Sequence, residues 1–462
     1  MKLTRNRSVA ALTLAGLLAS AAPSLAAPVQ ATSTASAAGC MSQAPVMDST
    51  GTIAAWQSDC NLASNNADGS IEIFRATIGS APAQITAGTG CTSGPPTISS
   101  DGKRVAFAST CNLAGSNADG NFEIFLWNNG TLSQMTTSNG CDNLAPSING
   151  AGTFIAFDST CNVGGTNNDG RGSEIYRVTV SNGTLKQLTA DAVGDCDSTS
   201  ASIDGSGALV AFDSDCDLTG ENDGNAIQVF TVTATGVVKQ KTFSADDSCS
   251  ALHPSMDAAG AIIGFHSDCD FTGGNAAARD EIFTVDASGV RQVTTAPGAT
   301  VCASGEVRMA SSGTAVSFTS YCKLNNQNAD GSLEVFQSGV GAYQAGILAL
   351  TNTTGCTSFA GGLNSGGTRV AFDSDCDLTG GNADKSVEVF RDNACICGAP
   401  VSRKKAVSSD ALFVLKSAVG TNACNRCECD VNNDGSVTAT DALRVLRVAV
   451  GQAGIVLTCP AP

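Results

Sequence analysis

Fourteen cysteines of this chain fall into seven pairs, and the two members of every pair stand 20 positions apart. The pairs are Cys40 and Cys60, Cys91 and Cys111, Cys141 and Cys161, Cys196 and Cys216, Cys249 and Cys269, Cys302 and Cys322, and Cys356 and Cys376. First members recur at intervals of 50 to 55 residues, a period that marks a repeat architecture. In the third copy, Ala145-Pro146-Ser147-Ile148, a turn at Asn149-Gly150-Ala151-Gly152 and the alternating run Phe154 to Ser159 read as two strands of a tight hairpin. After Cys161, a Gly/Asn/Asp-rich loop leads to a third strand at Glu174–Val178 and a fourth at Leu185–Thr189. Four short strands per copy make one blade of a β-propeller.

The third strand returns in all seven copies, as in Ile71-Glu72-Ile73-Phe74 and Val387-Glu388-Val389-Phe390. The fourth ends in Gln-x-Thr in most copies and more loosely as Ala349-Leu350-Thr351 in the sixth, but none follows the seventh third strand. Val29-Gln30-Ala31-Thr32, which precedes Cys40 with no blade before it, is expected to supply the missing strand and close the ring. Within each blade the paired cysteines flank one antiparallel hairpin, so an intrablade disulfide lies within the roughly 4.4–6.8 Å Cα reach. Each bridge closes a loop of about 20 residues, worth roughly 3 kcal/mol in the chain-entropy picture. Aromatics make up only 5% of the chain, which predicts thin blade cores that the disulfides compensate.

Lys2, Arg5 and Arg7, an apolar run to Ala22 and Ser24-Leu25-Ala26 read as a secretory signal peptide over residues 1–26, too short for a membrane span. Twenty cysteines in an exported chain are expected to be disulfides. The destination is the medium, the cell surface or the periplasm. A net charge of −17 repels nucleic acid and anionic membranes and favours divalent cations as partners.

The blade pattern resembles the WD40-like repeats of the TolB-type propeller family over residues 28 to 393. That resemblance implies a mainly β, seven-bladed propeller domain over 27–393 and says little about activity.

Residues 394–462 differ in composition and hold two matching helical segments, Ala411–Gly420 and Ala442–Gly451, offset by 31 residues. Leu412, Leu415 and Val419, like Leu443, Leu446 and Val450, fall at helical spacing and predict one apolar face per helix. Before the second helix, Asp430 to Asp441 places oxygen side chains at loop positions 1, 3, 5 and 12 and Gly435 at position 6, with the Ser436 carbonyl at 7. That is the donor pattern a calcium ion requires. Asp441 is also expected to cap the following helix with Thr438.

A twelve-residue loop ending in Asp, followed by one helix and used in tandem, resembles type I dockerins, small α-helical EF-hand-like modules that bind cohesins. The resemblance covers roughly 402–455 and implies Ca²⁺ ligands at Asp430, Asn432, Asp434, Ser436 and Asp441. It also implies cohesin contacts at Ser408, Ser409, Ala439 and Thr440. The first copy departs from it: Ala399 to Asp410 has Val401, Arg403 and Lys404 where ligands and the turn glycine belong, so that loop cannot hold calcium. A purely structural calcium module therefore remains open beside cohesin docking. Cys395, Cys397, Cys424, Cys427, Cys429 and Cys459 read as disulfides in preference to a zinc site, with their pairing open.

The two histidines, His253 and His266, replace Ala145 and Asp158 of another copy and read as blade variation, and their number excludes a histidine-rich metal site. Asp119, Asp169, Asp223, Asp330 and Asp384, in register with strand glutamates such as Glu123 and Glu334, read as turn chemistry in preference to cation sites. No nucleophile elbow appears, and no carboxylate pair stands out among 42 acidic residues. The sequence thus favours a non-catalytic extracellular binding or scaffold protein whose propeller face recognises a protein or glycan. The alternative is a carbohydrate-active enzyme, a glycoside hydrolase or polysaccharide lyase in polysaccharide catabolism.

Overall fold

The computed structural model describes residues 28–34, 39–163, 172–190, 196–222, 226–244, 246, 248–296, 302–340, 346–393, 406–420, 429–432, 434–452 and 454–458. Its 28 strands, β1 to β28 in chain order, form seven four-stranded antiparallel sheets, followed by helices α1 (Ser408–Ala418) and α2 (Ala439–Ala449). The third blade runs β10 (Asn143–Ile148), β11 (Phe154–Ser159), β12 (Glu174–Thr179) and β13 (Thr184–Gln187), side by side in that order. Asn149 closes its first hairpin by accepting the Thr153 and Phe154 NH groups at 2.7 and 2.9 Å, and Gly152 supplies the left-handed residue at φ +68°.

The first strands of the blades are β2 (Ser42–Met47), β6 (Thr97–Ile98), β10, β14 (Ser198–Ile203), β18 (Ala251–Met256), β22 (Ser304–Met309) and β26 (Ser358–Leu363). Each contacts the next around a closed circle, so they surround a central axis. At one mouth of this channel the hairpin turns are stitched together by backbone bonds, among them Ser49 NH to Ser100 O at 3.0 Å and Ser100 NH to Gly150 O at 2.9 Å. Ser365 NH to Ser49 O, at 3.0 Å, completes the circle between the last and first blades. A cavity of about 160 Å³ lies there, lined by residues such as Ser49, Ser147, Ser202 and Met256.

The ring closes where the sequence places the closure. Strand β1 (Val29–Gln30) pairs with β28 (Glu388–Asn393), Val29 opposite Arg391 and Gln30 opposite Phe390. One side-chain clasp explains the recurring Gln-x-Thr. In all seven blades the threonine hydroxyl accepts the NH at the start of strand three at 2.8–2.9 Å, as Thr136 does from Ile124 and Thr32 from Val389. In six blades the same hydroxyl donates to the buried Glu or Gln beside that NH: Glu72, Glu123, Glu174, Gln228, Glu281 and Glu388. Burying these side chains is tolerable because their oxygens are bonded. Thr32 therefore binds Glu388 from the far end of the chain through the same bonds that each other blade makes locally.

All seven expected disulfides form, with Cα separations of 5.0–5.3 Å. The thin-core expectation is corrected. Fourteen of the 23 aromatic residues form one stacked pair per blade, from Trp56–Phe74 to Phe372–Phe390, with centroids 5.6–6.4 Å apart. Few aromatics suffice because each is opposite another on strands two and three, adding a specific ring contact to the buried area.

The inner strands carry a feature that the sequence reading missed. Ala44, Ala145, Ser200, His253 and Glu306 adopt φ between 44° and 58°, each within a bulge where the inner strand's pairing slips. In three of the five the freed NH is taken up by an aspartate of the preceding blade: Ala44 NH by Asp373 at 3.1 Å, His253 NH by Asp213 at 2.7 Å and Ser200 NH by Asp158. Burial pushes the Asp373 carboxyl up to about 7, with the nearby Glu306 charge adding to the shift. Burial likewise lifts Asp158 to about 6.

The C-terminal helices reverse one expectation. Their buried face consists of Ala411, Val414, Ala442 and Val445, packed with Cys429 and Val431, because small side chains let the two helices approach closely. Leu412, Leu415, Val419, Leu443, Leu446 and Val450 are exposed instead.

Two outcomes follow from the fastenings between blades. Thr32→Val removes the closing clasp and is expected to lower propeller stability by about 1–3 kcal/mol, seen as a lower thermal midpoint; an unchanged midpoint would contradict the role given to the clasp. Asp373 has a higher pKa folded than unfolded, so the folded state holds its proton more tightly and this carboxyl's contribution to stability falls as pH rises from about 4 to about 7. Asp373→Asn keeps an acceptor for Ala44 NH and should raise the thermal midpoint relative to the native chain increasingly from pH 4 to pH 8. A difference independent of pH would refute the assignment.

Candidate functional site

The mouth of the channel at the bulges is where the blades stop being equivalent. At the bulge position, blades one to three present Ala44, Pro95 and Ala145, whereas blades four to six present Ser200, His253 and Glu306. On strand two, blades three, four and seven carry the pinning aspartates and blade five carries His266. The rings of His253 and His266 stack with centroids 5.1 Å apart. The two histidines read from sequence as separate blade variations thus form one pair, beside Asp213. Burial, with the neighbouring His253, pushes the His266 imidazole down to about 4, and its Nδ1 is buried without a hydrogen bond. Burial raises the Asp213 carboxyl, although Thr199 donates to it at 2.6 Å. The signal that could have located this mouth was the set of departures from the repeat at shared inner positions.

The pinning aspartates are already engaged between blades, so they are scaffold. His253, Glu306 and Arg308 are open to the channel. Burial raises the Glu306 carboxyl and lowers the Arg308 guanidinium, each partly offset by the charge of the other. Together they form a polar, charge-bearing surface on the axis.

The loop acidic residues serve turns. Asp119 accepts Gly140 NH at 3.2 Å, and Asp330 and Asp384 accept the Ser332 and Ser386 hydroxyls at 3.0 and 3.1 Å. Asp169 and Asp223 lie outside the described residues. Glu123 and Glu334 reach these loops as well, taking Asn121 Nδ2 at 3.2 Å and the Ser332 hydroxyl at 2.9 Å. Glu123 accepts Thr136 in the clasp, and Glu334 takes the Thr353 NH and hydroxyl at 2.5 and 2.7 Å. Groups such as Cys40-Asp59-Cys60 bring two sulfurs and a carboxylate together, but both sulfurs are oxidised and Asp59 accepts Met41 NH at 2.5 Å. They offer no thiolate to a metal.

In the C-terminal loop, Asp430 and Asp441 are completely buried. The chain curls around Asp430, whose two oxygens accept Asp434 NH at 3.1 Å and Gly435 NH at 3.0 Å, with Gly435 at φ +95°. Asn432 accepts Asp434 NH at 3.1 Å, and Ser436 NH donates to Asp434 at 3.0 Å. Asp441 accepts Val431 NH at 2.9 Å and Thr438 NH at 2.8 Å, so it ties both ends of the loop and caps α2 as the sequence suggests. Two buried carboxylates in a loop of oxygen donors fit a hard cation. Asp410 occupies the matching place in the first copy, accepting Val407 NH at 2.8 Å. Residues 399–405 of that copy's loop lie outside the described residues, as do Cys395, Cys397, Cys424, Cys427, Cys459 and the signal segment. Cys429 is disulfide-bonded. Ser408, Ser409, Ala439 and Thr440 are exposed on the first turns of the two helices, beside the exposed leucines.

No known family matches the chain by sequence, and no curated protein matches it. Among solved structures it is similar to an oligogalacturonate lyase from Vibrio parahaemolyticus, at 11% identity over 80% of this chain and 98% of that one, with a TM-score of 0.51. It is also similar to a prolyl endopeptidase, at 12% identity over 77% of this chain and 50% of that one, with a TM-score of 0.50. A TolB from Acinetobacter baumannii matches at 17% identity over 65% of this chain, with a TM-score of 0.38, and the chain spans 61% of that protein. The first two likenesses show a propeller fold, and a fold alone does not fix an activity. The seven disulfides point to an oxidising compartment, extracellular or periplasmic, and no helix among the described residues is long and apolar enough to cross a membrane.

Proposed function

We propose that this chain is an exported, non-catalytic binding protein: a propeller that recognises a protein or glycan at its bulge-side mouth, joined to a C-terminal module that holds calcium and docks to a partner. The observation that carries the calcium reading is the burial of Asp430 and Asp441 at the two ends of one loop, with Gly435 turning the chain back onto the first. The ligands would be Asp430, Asn432, Asp434, the Ser436 carbonyl and Asp441. The docking reading is supported by Leu412, Leu415 and Val419 and their counterparts Leu443, Leu446 and Val450, exposed in two matching stripes. Each stripe adjoins a polar first turn, Ser408-Ser409 or Ala439-Thr440, which suits a cohesin-like protein.

For the propeller, binding is favoured over turnover because the buried carboxylates at the mouth are committed to holding bulges. Likeness to an oligogalacturonate lyase motivates the second reading, cleavage of an acidic polysaccharide. Reducing-end release from a polysaccharide panel separates the two: retention without release supports binding, and turnover defeats it.

Calorimetric titration of the full chain with Ca²⁺ should show one site, with a dissociation constant on the order of 10 μM or tighter. Asp430→Ala and the more exposed Asn432→Ala should each weaken it at least about tenfold. Chelation should lower the unfolding transition of the helical module and leave that of the propeller unchanged, because a ligand stabilises only the unit that binds it. Unchanged calcium affinity in both variants would overturn the site.

A further inference from the structure

Six positions after the first cysteine, four successive blades carry a hydroxyl: Thr97, Ser147, Ser202 and Ser255. Each accepts an inner-strand NH from the following blade, at 3.4 Å from Ile148, 3.2 Å from Ile203, 3.0 Å from Met256 and 2.9 Å from Met309. In the sixth blade the position belongs to Arg308, which cannot accept a bond and ends the ladder. Its side chain is exposed. It makes a single hydrogen bond, to the adjoining Val307 carbonyl at 3.1 Å. Among the described residues, the ion pairs are Lys103–Asp101 and Arg291–Asp286, and neither includes Arg308.

Without an ion-paired carboxylate among the described residues, the guanidinium keeps most of its donors free, and nothing in the blade geometry calls for it. Its planar fork of donors matches a carboxylate in two parallel bonds. We propose that Arg308 anchors a carboxylate-binding site on the propeller axis, which takes the acid group of a small organic ligand entering past His253 and Glu306. The proposal rests on the reading of the propeller as the binding part of the chain. His253 adds a second donor at the mouth.

The test is calorimetric titration of the full chain at low salt with lactate, with lactamide as its uncharged match and with inorganic phosphate. Lactate should bind once, with a dissociation constant on the order of 1 mM, a value in keeping with so small a ligand; lactamide should not bind. Arg308→Ser supplies the hydroxyl used by neighbouring blades, so it should keep or raise the thermal midpoint while weakening lactate roughly ten- to a hundredfold. Arg308→Lys should lose affinity by a smaller factor. The proposal is overturned if lactate fails to bind, if lactamide or phosphate binds as well as lactate, if Arg308→Ser binds undiminished, or if that variant is less stable. Repeating the lactate titration with Asn432→Ala separates this site from the calcium loop, because carboxylate binding should survive there unchanged.

Discussion

A buried glutamate held by a threonine hydroxyl is the contact on which this architecture depends. Each sheet must fix its outer strand to its third strand, and the hydroxyl does so by accepting a strand-three NH; in five blades it also donates to the carboxylate beside that NH, and in the fourth to Gln228. Six blades form the bond between hydroxyl and NH from residues 12 to 16 positions apart, whereas the seventh forms it across 357 positions, between Thr32 and Val389. The fold is thus a ring because one local interaction is used once non-locally. The disulfides act on a different pair of strands, each within its own hairpin, so they stiffen blades without joining them.

Joining is left to the inner strands. Hairpin turns bond to their neighbours at one mouth, and at the other aspartates reach forward to the bulged NH groups of the next blade. The left-handed bulge residues would leave an amide unsatisfied without those carboxylates, and the carboxylates would be stranded without the amides. Their burial shifts them towards neutrality, so the ring is held by groups sensitive to acidity. Once the scaffold is assigned to these fastenings, His253, Glu306 and Arg308 are left as the polar lining of one sector of the channel.

Much of the fold was legible because it repeats. Cysteine spacing located the blades, the alternating runs located strands two and three, and Gln30-Ala31-Thr32 showed its kinship with the other fourth strands. The bulges were not legible: Ala145 before Pro146 gives no local sign of a left-handed conformation, which is fixed by the neighbouring blade's carboxylate or by strand register. Nor was the meeting of His253 with His266, since adjacency across a hairpin depends on that same slipped register. In the helices, leucine spacing suggested the wrong face because hydrophobicity alone does not reveal how closely two helices approach. Ala411 and Ala442 decide that. The calcium loop was readable residue by residue, because its donors lie within one short stretch of chain.

Amide hydrogen exchange at Val389 tests the ring most directly. Its NH is held by Thr32, whereas the Ile124 NH is held in the equivalent place by Thr136, only 12 residues away. If the first strand is an integral part of the last blade, both amides open only with the propeller and show similar protection. Protection at Val389 lower by orders of magnitude, with Ile124 unaffected, would mean that the first strand frays from an otherwise complete fold, and the closed ring would not stand.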